Sequence, residues 1–193
     1  MNPEAQKLKE LGNEAFKKND FTTALKNYEK AIELDPKEMT YYNNIAAVYF
    51  QMNHFDKCIN FGRQACKIGQ ENGAKSKLIF KGFERMGRAH KEMDDLKMAK
   101  LVFEKSKSFL EKALKEKDTS ESEYEKCLSE IELAIDRCQI KVSQNLQKVV
   151  LIYGIFEVYG LQCPPPLVWQ KFGEREMFHF PYGLNYIHRD MPL

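Results

Sequence analysis

Five polar side chains have the types and the spacing needed to bind an anion. Lys9 and Asn13 are four residues apart, as are Lys81 and Arg85, and Asn44 lies between the two pairs in the sequence. Residues four apart share one face of a helix, where the like charges of Lys81 and Arg85 repel by roughly 0.2–0.5 kcal/mol. A shared anionic ligand explains that pair better than helix stability does. Lysine and arginine only donate hydrogen bonds and an asparagine amide can donate, so the five groups together suit an anion that accepts hydrogen bonds.

The other reactive residue types form no catalytic or metal-binding pattern. The histidines are not at metal-ligand spacing, there is no glycine-rich phosphate loop, and no nucleophile has a recognisable base beside it. The five cysteines are odd in number and scattered, which is typical of reduced thiols packed in a protein interior. The sequence therefore predicts no enzyme, no metal site and no cofactor. The histidines are His54, His90, His179 and His188, and the cysteines are Cys58, Cys66, Cys127, Cys138 and Cys163.

A repeat of 34 residues organises the first part of the chain. Gly12 is followed 34 residues later by Ala46, and Gly87 begins a third copy 41 residues after that. Such a period is the mark of a helix–turn–helix solenoid. The seven additional residues of the third copy are expected in a loop at about 70–77. Equivalent positions carry similar residues: Leu8 and Tyr42, Leu11 and Ile45, Phe16 and Phe50, Phe21 and Phe55, Ala24 and Cys58, Ala31 and Ala65.

The pattern predicts an all-α, right-handed solenoid of three helix pairs with a covering helix. The repeats occupy about 4–37, 38–71 and 77–117, and their helices are expected at 3–18, 21–34, 40–51, 55–70, 77–91 and 96–115. The covering helix is expected at 121–148, since its apolar residues recur at helical spacing. The first helix of each pair lines the concave groove in this architecture, so all five polar residues are expected to face that groove. The apolar stripe consists of Tyr124, Cys127, Leu128, Ile131, Ile135 and Cys138.

Composition limits the classes of function. The 193 residues are 43% apolar and 30% charged, as in an ordinary soluble protein of one domain with an appendage. A net charge of +2 without a basic block argues against nucleic acid binding. No export signal begins the chain, so a cytoplasmic location is expected. Residues 149–193 stay unassigned: their apolar run is too short to cross a membrane, and a poorly ordered terminus, a self-docking segment and a partner-binding motif are all open.

Three segments resemble a known family. Residues 8–13, 44–50 and 81–87 are similar to the tetratricopeptide domains called carboxylate clamps, and most of all to the central domain of Hop-type (stress-induced phosphoprotein) co-chaperones. The resemblance covers about residues 4–138. It implies that Lys9, Asn13, Asn44, Lys81 and Arg85 bind the terminal aspartate of a Met-Glu-Glu-Val-Asp peptide at the end of heat-shock protein 90. It also implies that Phe16 contacts an apolar side chain of the peptide.

Several alternatives stand beside that interpretation. Heat-shock protein 70 ends in the same Glu-Glu-Val-Asp and is a second candidate partner. A general repeat scaffold would bind another protein through the convex face or the tail, with the five polar residues solvated like other surface side chains. Phe16 is equally explained by packing within the repeat. Gln51 departs from the family, whose nearest members tend to have glutamate there, and this removes one contact to the peptide backbone.

Overall fold

Seven helices and one β-hairpin make up the part of the chain that the structure describes. The computed structural model covers residues 2–158, 168–172 and 175–179. It divides into two units, Met1–Ser143 and Gln144–Leu193. The helices of the first unit form three pairs, in each of which a short turn joins antiparallel neighbours. The paired helices are α1 (Pro3–Lys17) with α2 (Phe21–Leu34), α3 (Met39–Gln51) with α4 (Phe55–Glu71), and α5 (Ser76–Glu92) with α6 (Leu96–Lys115). The seventh helix, α7 (Glu121–Val158), follows them and continues past the end of the first unit.

The turn within each pair is the same in all three repeats. Asn19, Asn53 and Asp94 stand at equivalent positions with φ of 60°, 58° and 60°. Asparagine and aspartate tolerate this left-handed conformation better than other non-glycine residues. Asp20 and Asp95 follow and cap the next helix, since their side chains accept hydrogen bonds from backbone N–H groups two or three residues into it. Local sequence chemistry therefore sets the three turns independently of the core.

The connection before the third pair is shorter than the loop expected at about 70–77. Residues 72–75 join α4 to α5, and this connection is as short as residues 35–38 between α2 and α3. Instead, α4 has 17 residues where α2 has 14, and α5 has 17 where α3 has 13, which accounts for all seven additional residues. Asp35-Pro36 ends α2, because a proline disfavours helical geometry in the residue before it. No proline interrupts residues 68–80, so both helices continue.

Small residues allow the two helices of a pair to approach closely. A Cβ atom added at Gly12 would lie 2.5 Å from the ring of Tyr28, and one added at Gly87 would lie 2.7 Å from the ring of Phe103. Tyr28 and Phe103 are almost fully buried, with 1% and 2% of their surface exposed. In the first and third pairs, the glycine of the first helix thus makes room for an aromatic ring of the second helix.

The predicted covering helix packs on the third pair. Ile131 and Cys138 of α7 are buried against Phe80, Phe103 and Leu110, and the rest of the apolar stripe packs around them. An all-α solenoid capped by a further helix is therefore confirmed for the first unit. Three ion pairs tie the polar flank of α7 to the repeats: Lys77 with Glu123, Lys107 with Glu132, and Lys141 with Asp94.

The second unit differs from what the sequence suggested. The covering helix was expected to end at residue 148, but α7 continues to Val158. A short apolar run is compatible with a helix or a strand, and its periodicity alone does not separate the two. Two strands, β1 (Val168–Phe172) and β2 (Arg175–His179), pair antiparallel with Val168 opposite His179 and Phe172 opposite Arg175. The hairpin was not predicted. The remaining residues of the tail, including Pro164 to Pro166, lie outside the described part of the chain.

Candidate functional site

The five predicted site residues lie on the first helices of the three pairs. Lys9 and Asn13 belong to α1, Asn44 to α3, and Lys81 and Arg85 to α5. These are the first helices of three consecutive pairs, and α3 contacts both α1 and α5. The repeat therefore places the five residues on three neighbouring elements of one layer.

Two of the five are in direct contact across helices. The amide nitrogen of Asn44 donates to Oδ1 of Asn13 at 3.0 Å. The hydroxyl of Tyr28, on α2, donates to the same oxygen at 2.8 Å. Burial raises the pKa of Tyr28 to about 12, so the hydroxyl keeps its proton at neutral pH. A network of three residues thus joins the first pair of helices to the second.

Arg85 is hydrogen-bonded to Asn43, the residue directly before Asn44 on α3. Nη1 of Arg85 donates to the backbone carbonyl of Asn43 at 2.9 Å. The guanidinium is half-buried, and burial lowers the pKa of Arg85. Within the described residues no carboxylate forms an ion pair with Arg85. Glu84, the residue directly before it, pairs with Arg88 instead, at 3.4 Å. The charge of Glu84 offsets part of the effect of burial on the pKa of Arg85. Arg85 therefore places a partly desolvated cation without an ion-pair partner among the described residues one residue away from Asn44.

The two lysines flank this group. Lys9 lies one turn before Asn13 and is half-buried, and Lys81 lies one turn before Arg85 and is exposed. Neither forms a hydrogen bond or an ion pair inside residues 2–148. The charge of Lys81 contributes to lowering the pKa of Glu123, at the start of α7, although the hydrogen bond from Lys77 is the main cause. The structure thus connects Asn13, Asn44 and Arg85 through direct or adjacent contacts, and leaves both lysine ammonium groups free of partners within that range.

Phe16 packs within its own repeat. Its half-buried ring lies 6.0 Å from that of Phe21, centroid to centroid, and belongs to the cluster around Ala15 and Tyr28. This agrees with the packing interpretation, while contact with a peptide side chain stays a prediction. Gln51 is exposed at the last residue of α3.

Three residues of the site region were not anticipated. The hydroxyl of Tyr28 donates to Asn13, and the backbone carbonyl of Asn43 accepts from Arg85. Arg88 places its guanidinium carbon 5.1 Å from the centroid of the Phe50 ring. The hydroxyl of Tyr28 was a usable signal, because Phe103 occupies the equivalent position of the third repeat with a ring alone. A signal also existed for Arg88, which follows Lys81 by two helical turns. Nothing in the sequence pointed to the carbonyl of Asn43.

Metal sites and membrane-spanning helices are absent from the described residues. No group of three histidine, cysteine, aspartate or glutamate side chains there could hold a metal ion. None of the described helices combines the length and apolar character needed to span a membrane. Cys58, Cys66, Cys127 and Cys138 are free thiols, and Cys163 lies outside the described part.

Comparison with known proteins identifies the repeats. Residues 12–53 match the TPR repeat family, and residues 40–72 match the tetratricopeptide repeat family. The N-terminal domain of stress-induced protein-1 from C. elegans superposes with a TM-score of 0.56 at 38% identity, covering 68% of this chain and 99% of that domain. The chain belongs to the tetratricopeptide repeat (TPR) family. The resemblance to Hop-type co-chaperone domains is confirmed by the same match.

Two further relatives bear on function. Stress-induced-phosphoprotein 1 of Caenorhabditis elegans is 46% identical to this TPR protein over 100 residues, or 52% of the chain and 31% of the relative. The TPR2AB domain of yeast Sti1, solved as a pHSP90 complex, is 27% identical with a TM-score of 0.56, covering 80% of this chain and 57% of that one. The chain thus spans less than a third of the curated relative, and the match speaks for the TPR domain alone.

Proposed function

We propose that this TPR domain binds the C-terminal Glu-Glu-Val-Asp tail of heat-shock protein 90 in the groove lined by α1, α3 and α5, as a co-chaperone or adaptor. The observation that carries the proposal is the half-buried guanidinium of Arg85, held by a carbonyl and without a carboxylate partner among the described residues. A desolvated charge is costly unless it is paired. An incoming carboxylate would supply the missing partner.

The chemistry of the neighbouring groups suits a peptide terminus. A C-terminal aspartate carries two carboxylates, which only accept hydrogen bonds when ionised. Lys9, Lys81 and Arg85 only donate, and Asn13 has its two amide N–H donors left because its oxygen is occupied. Each charge-assisted hydrogen bond contributes about 1.5–3 kcal/mol, so a few of them can hold a short extended segment. The ordering of that segment offsets part of this gain, and the complex is therefore expected to exchange readily.

The comparisons support the choice of ligand class. The yeast Sti1 neighbour is a pHSP90 complex, and a wheat relative, 42% identical over 85 residues, is named Hsp70-Hsp90 organizing protein. Heat-shock protein 70 is the second candidate, since its tail ends in the same four residues and that name includes it. A cytoplasmic location is part of the proposal, because the four thiols of the described residues are unpaired.

Titration with peptides tests the proposal. A Met-Glu-Glu-Val-Asp peptide is expected to bind, and the same peptide amidated at its C-terminus should bind at least tenfold more weakly, since it loses one carboxylate. Lys81→Ala should weaken binding, whereas Lys91→Ala, which removes an exposed charge from the same helix, should not. If both peptides bind equally well, or if neither binds, the clamp is rejected and a scaffold that uses another surface is favoured. A parallel titration with the heat-shock protein 70 tail measures the preference between the two partners.

A further inference from the structure

We propose that Tyr28 is a positioning residue of the clamp: its hydroxyl holds the amide of Asn13 in the one orientation that presents both N–H donors to a carboxylate. The inference rests on the proposed function, in which Asn13 binds the peptide terminus. Tyr28 lies on α2, which does not line the groove, and it reaches the site only through Asn13.

The hydrogen bonds around Asn13 define which end of its amide faces the groove. Oδ1 of Asn13 accepts from Tyr28 at 2.8 Å and from Asn44 at 3.0 Å. A carbonyl oxygen has two lone pairs, so both are in use. The nitrogen of the same amide makes no hydrogen bond within residues 2–148. Asn13 is therefore left as a donor, which is the role that a carboxylate ligand requires.

Tyr28 determines this orientation because its hydroxyl has no acceptor other than Asn13 in the described part of the chain. If the Asn13 amide were turned over, its nitrogen would face Tyr28, and Asn44 could turn as well and offer its own oxygen. The Tyr28 proton would then have no partner among the described residues, although only 1% of this side chain is exposed. Leaving a buried donor unsatisfied is costly. Turned over, Asn13 would also present an acceptor to the ligand carboxylate.

The third repeat shows that packing does not need the hydroxyl. Phe103 stands at the position of Tyr28 and packs on Gly87 as Tyr28 packs on Gly12, with ring atoms 2.7 and 2.5 Å from an added Cβ. The residue after Gly87 is Arg88, so no amide needs to be oriented there. The hydroxyl thus occurs in the repeat where it meets a predicted ligand residue.

A double-mutant cycle separates positioning from packing. Tyr28→Phe keeps the ring, as Phe103 shows, and is expected to weaken binding of the Met-Glu-Glu-Val-Asp peptide about three- to tenfold, the loss typical of one hydrogen bond. Asn13→Ala should weaken it as well. In the Asn13→Ala background, Tyr28→Phe should have no further effect, because its target is gone. Tyr42→Phe is the matched control, since Tyr42 is 9% exposed and donates to the carbonyl of Pro36, away from Asn13.

Nuclear magnetic resonance of the free protein gives a second readout that needs no peptide. Tyr28→Phe should shift and broaden the side-chain amide signals of Asn13, and Tyr42→Phe should leave them unchanged. Unchanged Asn13 signals in Tyr28→Phe, or equal weakening of peptide binding by Tyr28→Phe with and without Asn13, would overturn the inference. Asn13→Ala with undiminished binding would instead refute the proposed role of Asn13 in the clamp, and the inference with it. Failure of the wild-type chain to bind peptide would refute the proposed function and the positioning role in binding, whereas the amide signals would still show whether Tyr28 orients Asn13.

Discussion

Arg85 can be replaced without removing the apolar part of its side chain. Arg85→Met keeps a long unbranched side chain between α3 and α5 and deletes only the guanidinium. The carbonyl of Asn43 lies inside α3, so it keeps its helical hydrogen bond when the bond from Arg85 is lost. The substitution therefore leaves no buried backbone acceptor without a partner, and its effects on folding and on binding can be separated.

The expected effect on stability is small because two contributions oppose each other. The hydrogen bond at 2.9 Å to the carbonyl contributes about 1.5–3 kcal/mol, and burial of a cation without an ionic partner costs several kcal/mol before that bond is counted. The free energy of unfolding should change by less than about 1.5 kcal/mol, in either direction. Peptide binding loses one partner of a hydrogen-bonded ion pair, which costs about 2–5 kcal/mol, or about 30-fold or more in Kd.

Two measurements on Arg85→Met and on a control variant separate the effect on binding from the effect on stability. Isothermal titration with the Met-Glu-Glu-Val-Asp peptide gives Kd, and urea unfolding gives the free energy of unfolding. Arg63→Met, on the exposed surface of α4, removes the same charge and should leave both quantities unchanged. Binding within threefold of wild type would show that Arg85 is not a ligand-binding residue. A loss of more than about 3 kcal/mol in stability would show that Arg85 mainly holds α3 to α5.

Three other predictions concern the frame of the domain. Ile131→Ala should lower the free energy of unfolding by about 2–4 kcal/mol because it leaves a cavity under α7, while Leu133→Ala, half-exposed on the same helix, should cost under about 0.5 kcal/mol in urea unfolding. The hydrogen bond from Lys77 lowers the pKa of Glu123, so Glu123 stabilises the fold above its unfolded pKa, and this is lost as the pH falls through its folded pKa. Lys77→Met should raise that pKa in a carbon-13 carboxyl titration, and an unchanged value would contradict the assignment. Burial raises the pKa of the Cys58 thiol to about 11, so iodoacetamide at pH 8 should label Cys58 only as the chain unfolds, as mass spectrometry across a urea series would show.

The sequence predicted the solenoid well where local chemistry sets the structure. The six repeat helices begin and end within one residue of the expected bounds at every turn, because Asn19, Asn53 and Asp94 recur in register and Asp35-Pro36 ends α2. The apolar stripe of α7 was also identifiable, since its residues recur at helical spacing. In these segments, turn chemistry and hydrophobic periodicity indicate the same structure.

The predictions were less accurate where no residue in the sequence marks the end of a helix. Additional residues between two repeats can lengthen a loop or the flanking helices, and only an interrupting residue distinguishes the two outcomes. Residues 68–80 contain no proline, and Gly73 alone has a positive φ, of 66°, inside the short connection. The end of α7 was misplaced because residues 149–158 have no polar face to mark helical spacing.

The candidate site shows the same division at the level of single side chains. Repeat register identified Lys9, Asn13, Asn44, Lys81 and Arg85 because residue type and spacing are properties of one helix at a time. Hydrogen bonds between helices depend on packing distance, and packing distance is set by pairs such as the glycine and the ring that meet in the first and third repeats. The orientation of an asparagine amide follows from those distances and not from its own position in the sequence. In the proposed clamp, a matching set of residue types is therefore not sufficient, because the buried hydroxyl of Tyr28, on a helix outside the groove, would decide whether the Asn13 amide offers hydrogen or oxygen to the ligand.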